Sequence, residues 1–252
     1  MGLLLLDSYA ATTGLAYQVA VNAGNAQSAT VNTGLAVIPQ VIVEDSVGNP
    51  VSGTQVIFAL STGTGTVSGL TQTTNASGLA SIGSWSLGTT AGSNSITAAA
   101  SGLTGSPVVF TATGLGAAPF TVAIYRGNGQ IAVPGTPVAI QPQVLLSDQY
   151  GNAASASTVT FAVATGGGSV SPTAVRSVNG IAAASVWTLG VTVGSNSLTA
   201  TASGVTGSPL TFLATASGGG PVDRTNTIWV QPWGINPWVR LPEVRPPTIV
   251  HP

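Results

Sequence analysis

Cysteine and lysine are both missing from this 252-residue chain, and histidine occurs once, at His251. Without cysteine there are no disulfides and no thiolate metal sites, and the redox compartment is left open. Without lysine there are no Lys-to-Asn isopeptide crosslinks, so each folding unit must stand on its core and its hydrogen-bond ladders. Charge is scarce as well. Asp, Glu, Lys and Arg make up 4% of the chain, against roughly 25% in an average soluble domain. Five arginines and six acids leave a formal net charge of -1, which gives no basic footprint for nucleic acid or for an anionic membrane. A near-neutral surface repels its own copies weakly and suits packing against them or against a partner.

Targeting segments are also lacking. The apolar start Met1-Gly2-Leu3-Leu4-Leu5-Leu6 has no positive residue before it and is stopped by Asp7, unlike a secretory signal. Leu6 stands where N-myristoylation needs Ser or Thr. No window reaches the roughly 18 uninterrupted apolar residues of a membrane span. The expectation is an untrimmed chain with no signal peptide and no membrane insertion.

What is abundant is Gly, Ala, Ser, Thr and Val, and 44% of the residues are apolar. That mixture lacks the Glu, Lys, Arg and Gln of helical surfaces and points to an all-β chain with enough apolar side chains for two cores. Comparing the chain with itself shows one unit written twice, 102 to 103 positions apart. Asp45-x-x-Gly48-Asn49 answers to Asp148-x-x-Gly151-Asn152, Val56-Ile57-Phe58-Ala59 to Val159-Thr160-Phe161-Ala162, and Trp85-Ser86-Leu87-Gly88 to Trp187-Thr188-Leu189-Gly190. Gly92-Ser93-Asn94-Ser95 and Gly194-Ser195-Asn196-Ser197 continue the match.

Within each unit, short runs such as Ser95-Ile96-Thr97-Ala98 alternate polar with apolar between Gly, Asn and Pro, the pattern of half-buried strands. About 100 residues with around seven such strands fits an immunoglobulin-type sandwich. The predicted architecture is therefore two tandem immunoglobulin-like β-sandwich domains at 17–115 and 119–218. They are flanked by extended N- and C-terminal arms, 1–16 and a Trp/Pro-rich tail at 219–252. Phe58, Trp85 and Phe110, with their counterparts Phe161, Trp187 and Phe212, recur at equivalent points of the pattern and are expected to be core aromatics rather than a ligand platform.

The run Asp45-Ser46-Val47-Gly48-Asn49-Pro50-Val51, followed by Val56-Ile57-Phe58 and later by Asn75-Ala76-Ser77-Gly78-Leu79-Ala80, resembles the bacterial Ig-like domain family of invasin and intimin. The resemblance spans both units, about residues 17 to 218, and implies the Ig-like fold. The second unit departs from it where Ala153-Ala154 replace Pro50-Val51 and Ala156 replaces Gly53. On the residues alone, Asp45 and Asp148 are turn formers that accept from backbone amides two residues on, with Gly and Asn supplying positive φ. The competing reading places calcium at a domain junction on Glu44, Asp45 and Asp148, although calcium asks for six to eight oxygens.

Chemistry has little to work with. His251 sits one residue from the end, too loosely placed for a Ser-His-Asp set or a histidine metal site. Glu44 and Asp45 are neighbours, which in a strand face opposite ways. Gly63-Thr64-Gly65 and Gly166-Gly167-Gly168 lack the lysine and helix of a phosphate loop. No catalytic residue, cofactor or metal is assigned. The candidate docking residues lie in the arms: Leu3, Leu4, Leu5 and Leu6 as an apolar strand or inserting arm, and Trp229, Trp233 and Trp238 along a Pro-rich extended tail. A structural, non-catalytic protein follows. The first reading is a virion component of a tailed bacteriophage, a decoration, fibre or tail protein assembling through its arms with other virion proteins and with copies of itself. The alternative is a bacterial cell-surface adhesin of the invasin type, and the third a carbohydrate-binding module. A host-surface glycan or receptor is a further candidate partner.

Overall fold

The computed structural model describes residues 14–218 and the backbone of two short paired strands, Trp229–Val230 and Val239–Arg240. The expectations for Leu3 to Leu6, Trp233 and Trp238 fall outside the described residues, as does the Trp229 side chain.

The first repeat unit forms ten strands: β1 (Gln18–Ala23), β2 (Gln27–Thr30), β3 (Gln40–Glu44), β4 (Gln55–Thr62), β5 (Gly65–Ser68), β6 (Thr71–Thr73), β7 (Leu79–Ser81), β8 (Ser84–Leu87), β9 (Gly92–Ala99) and β10 (Val108–Leu115). They build a three-stranded sheet in the order β1-β3-β7, a five-stranded sheet in the order β2-β10-β9-β4-β6, and the pair β5-β8. The second unit repeats the plan with β11 (Thr121–Arg126), β12 (Gln130–Ala132), β13 (Gln143–Ser147), β14 (Thr158–Thr165), β15 (Gly168–Ser171), β16 (Ala174–Arg176), β17 (Ile181–Ala183), β18 (Val186–Leu189), β19 (Gly194–Ala202) and β20 (Leu210–Ala216). Its sheets run β11-β13-β17, β12-β20-β19-β14-β16 and β15-β18.

Alternation in the sequence becomes alternation in space. Along β10, Val108, Phe110 and Ala112 are buried while Val109, Thr111 and Thr113 face out, the period of two that a pleated strand imposes. Register then gathers the aromatics around the central strands. Phe58 lies opposite Ala98 and Phe110 opposite Ile96 across β9. In the second unit Phe161 lies opposite Ala200 and Phe212 opposite Leu198 across β19. Even the irregularities repeat, with a register shift at Leu60/Thr62 in β4 and at Val163/Thr165 in β14.

Each unit closes its own core. One cluster holds Val19, Val41, Val43, Phe58, Trp85, Ile96 and Phe110; the other holds Val144, Leu146, Phe161, Trp187, Leu198 and Phe212. The six aromatics expected inside are thus all placed inside. Both tryptophans hide their Nε1–H with no hydrogen-bond partner. An orphaned buried donor costs about 1–3 kcal/mol. A buried indole removes about 200 Å² from water, worth on the order of 5 kcal/mol, so packing outweighs the orphan at both sites.

Candidate functional site at the sandwich junction

The only two repeated acids organise the ends of the sandwiches. β3 ends at Glu44, and the buried carboxylate of Asp45 then gathers the turn that follows. Its Oδ1 accepts from the amides of Val47 at 3.0 Å and Asn49 at 2.9 Å. Its Oδ2 accepts from Asn49 Nδ2 at 3.0 Å and from the amide of Gly14 at 2.9 Å. In the second unit Asp148 accepts from Tyr150 N, Asn152 N, Asn152 Nδ2 and the amide of Ala117, all at 2.8 to 2.9 Å.

Four bonds use the acceptor capacity of a carboxylate, and each favours the charged form. The amide of Gly14, then the Asn49 side chain and amide, hold Asp45 well below the ordinary carboxylate range. For Asp148 burial pushes upward, and the bonds from Asn152, Ala117 and Tyr150 together outweigh it, leaving the group lowered. These carboxylates are staples. Glu44 is occupied separately, accepting from Gln18 Nε2 at 2.9 Å, and among the described residues no three His, Cys, Asp or Glu side chains come together. The structure does not bring Glu44, Asp45 and Asp148 to one point.

Two details differ from the turn expected on sequence. Positive φ is taken by Gly48 at 90° and Gly151 at 86° alone, while Asn49 and Asn152 serve as hydrogen-bonding residues. The Ala153-Ala154 replacement leaves the second turn unchanged: Asp148 N reaches Asn152 O at 2.9 Å, as Asp45 N reaches Asn49 O at 2.9 Å. Ala156 adopts φ 64° where Gly53 adopts 79°.

The second turn does more than shape itself. Asn152 Nδ2 donates to the carbonyl of Thr89 at 2.8 Å, and Asn152 Oδ1 accepts from the amide of Ala91 at 2.8 Å. Asn32 Nδ2 donates to the Tyr150 hydroxyl at 2.9 Å. Asp148 therefore ties down the connecting segment through Ala117, and the residues it orders grip the end of the first sandwich. Gly116 passes so close that an added Cβ would lie 2.3 Å from the carbonyl oxygen of Ala153. This junction was missed on sequence. No residue type marked it, because Gly14 and Ala117, each 31 residues before its aspartate, take part through backbone amides.

Among the described residues no three His, Cys, Asp or Glu side chains form a cluster in a cleft. An open depression lined by residues between Thr201 and Pro209 contains no acid, base or histidine. The glycine-rich stretches form tight hairpin ends, with Gly63 packed on Asn94 and Gly166 on Asn196.

No protein family and no curated protein matches the chain. Solved structures do. InvD of Yersinia pseudotuberculosis is 20% identical with a TM-score of 0.55, the match covering 76% of this chain and 55% of that one. The D0-D1 domain of intimin is 20% identical with a TM-score of 0.34, covering 79% of this chain and 95% of that one. Invasin, described as a bacterial integrin-binding protein, is 20% identical with a TM-score of 0.36, covering 80% of this chain and 39% of that one. The fold is the Ig-like β-sandwich in two tandem copies, shared with InvD, and the chain spans about half the length of InvD.

Proposed function

We propose that this chain is a non-catalytic spacer and display module of the adhesin type, working at the bacterial cell surface. The observation that carries the reading is the junction. One of the scarce acids is spent on holding one sandwich to the next, Asp148 through Ala117 and through Asn152, which bonds Thr89 and Ala91. A tandem pair fixed in this way can set a distance and hold a binding surface at its end. The surface location is supported by the shared fold with InvD.

The virion reading drew on the apolar start without a signal pattern, on the near-neutral surface and on the arms, most of which lie outside the described residues, and no feature of the sandwiches favours it over the surface reading. Protease shaving of intact cells of the source organism tests the choice. Tryptic peptides are few in a chain with five arginines, so a non-specific protease is used. Release of peptides from 14–218 by shaving supports the surface role. Recovery of the chain only in purified phage particles would overturn it and restore the virion assignment.

A further inference from the structure

We infer that the two outer ends of the sandwich pair are complementary and that copies of this chain associate head to tail through them. The inner junction supplies the template. On its receiving side two of the three bonds are to main-chain atoms, the carbonyl of Thr89 and the amide of Ala91; the third comes from the side chain of Asn32, whose counterpart at the outer end is Gly135. The two main-chain bonds depend on the path of the backbone and not on the receiving side chains. The equivalent connection recurs one unit later at 191–193, of the same length and between the equivalent strands β18 and β19. On the gripping side, Asp45 orders Asn49 with the same bonds that Asp148 uses to order Asn152. The first sandwich thus presents a formed gripping turn at one end, and the second presents the backbone it would grip at the other.

The side chains around these two features differ from those of the inner junction in one direction. Where the first sandwich has Thr89 and Ala91, the second has Val191, 86% exposed, and Val193, 64% exposed. Where the second sandwich has Ala118 and Tyr150, the first has Leu15, 93% exposed, and Val47, 81% exposed. Single exposed apolar residues are ordinary. Here four of them flank the two features: Val191 and Val193 at the positions of Thr89 and Ala91, Val47 at that of Tyr150, and Leu15 next to Gly14, with Asn49 available beside Val47. Apolar side chains meeting across such a contact lose water that the polar inner junction does not need to lose. The contact joins unlike ends, so it is heterologous and extends into open chains rather than closing into a dimer. The low net charge of -1 offers little repulsion against it.

Sedimentation velocity on the full-length chain over a wide concentration range tests this. The wild type is expected to show weak, open-ended association. Val47→Asp, in the gripping turn, and Val191→Asp, in the receiving segment, each place a charge in the contact and are expected to weaken self-association by about tenfold or more. Both positions are in exposed turns, and unchanged circular dichroism verifies the fold. Mixing the two variants gives the distinctive readout. The intact receiving end of Val47→Asp meets the intact gripping turn of Val191→Asp, so the mixture recovers association but stops at heterodimers. A wild type that stays monomeric throughout would overturn the inference, with the chain's own residues 219–252 or 1–13 covering the ends. So would variants that associate like the wild type, or a mixture that recovers nothing.

Discussion

Replacing Phe161 by alanine asks whether the two cores stand separately. Phe161 is buried in the second cluster between β14 and β19 and touches nothing in the first. Phe→Ala in a core costs about 3–5 kcal/mol, against the roughly 5–15 kcal/mol that holds a domain folded. At about 4–8 °C per kcal/mol for a unit of this size, the second sandwich should melt at least ~12 °C lower. The first sandwich feels this only through the junction. Its three cross-junction hydrogen bonds, two of them exposed, are worth together no more than about 1.5–4 kcal/mol. Hydrogen exchange read peptide by peptide, alongside calorimetry, separates the two. Protection should collapse across 121–216 and largely persist across 18–115, and Phe58→Ala should give the mirror image. Equal loss in both halves from either substitution would refute separate cores.

The acid side of the stability curve should report the aspartate staples. Both folded values lie below the ordinary 3.8, so their stabilisation is complete above about pH 4–5 and lost as pH falls further through the folded values; urea midpoints across pH should drop there in the wild type and less in an Asp45→Asn/Asp148→Asn double variant. Gly116→Ala drives a Cβ against the Ala153 carbonyl and should abolish exchange protection of the Ala91 amide while leaving both melting transitions in place. Ala156→Gly should stabilise the second sandwich by about 0.5–1 kcal/mol, because the left-handed backbone costs alanine ~1–2 kcal/mol and glycine recovers most of it after its larger entropy loss. Denaturant midpoints measure that change.

Most of the architecture was readable because it was written twice. A period of two in Val56-Ile57-Phe58 and its copy Val159-Thr160-Phe161 is a direct image of which side chains enter the core. The aspartate turn was half readable. Acceptance from Val47 and Tyr150, two residues on, follows from the length of the side chain. The bonds to Gly14 and Ala117 do not, since a backbone amide 31 residues away leaves no mark of its own in the residue type. The junction was hidden for the same reason. Thr89 and Ala91 take part through atoms that every residue possesses, so no motif betrays them. Asn49 and Asn152 were assigned backbone freedom when their work is done by the amide side chain.

A coupling that reads mostly carbonyl and amide on one of its faces, with Asn32 to Tyr150 its one side-chain pair, imposes little vocabulary on the module it receives. Successive sandwiches can drift, be duplicated or be exchanged for others of the same shape without both partners having to change together. An Asp-x-x-Gly-Asn turn on the incoming module supplies two of the three bonds, and lengthening such an array costs evolution little more than copying.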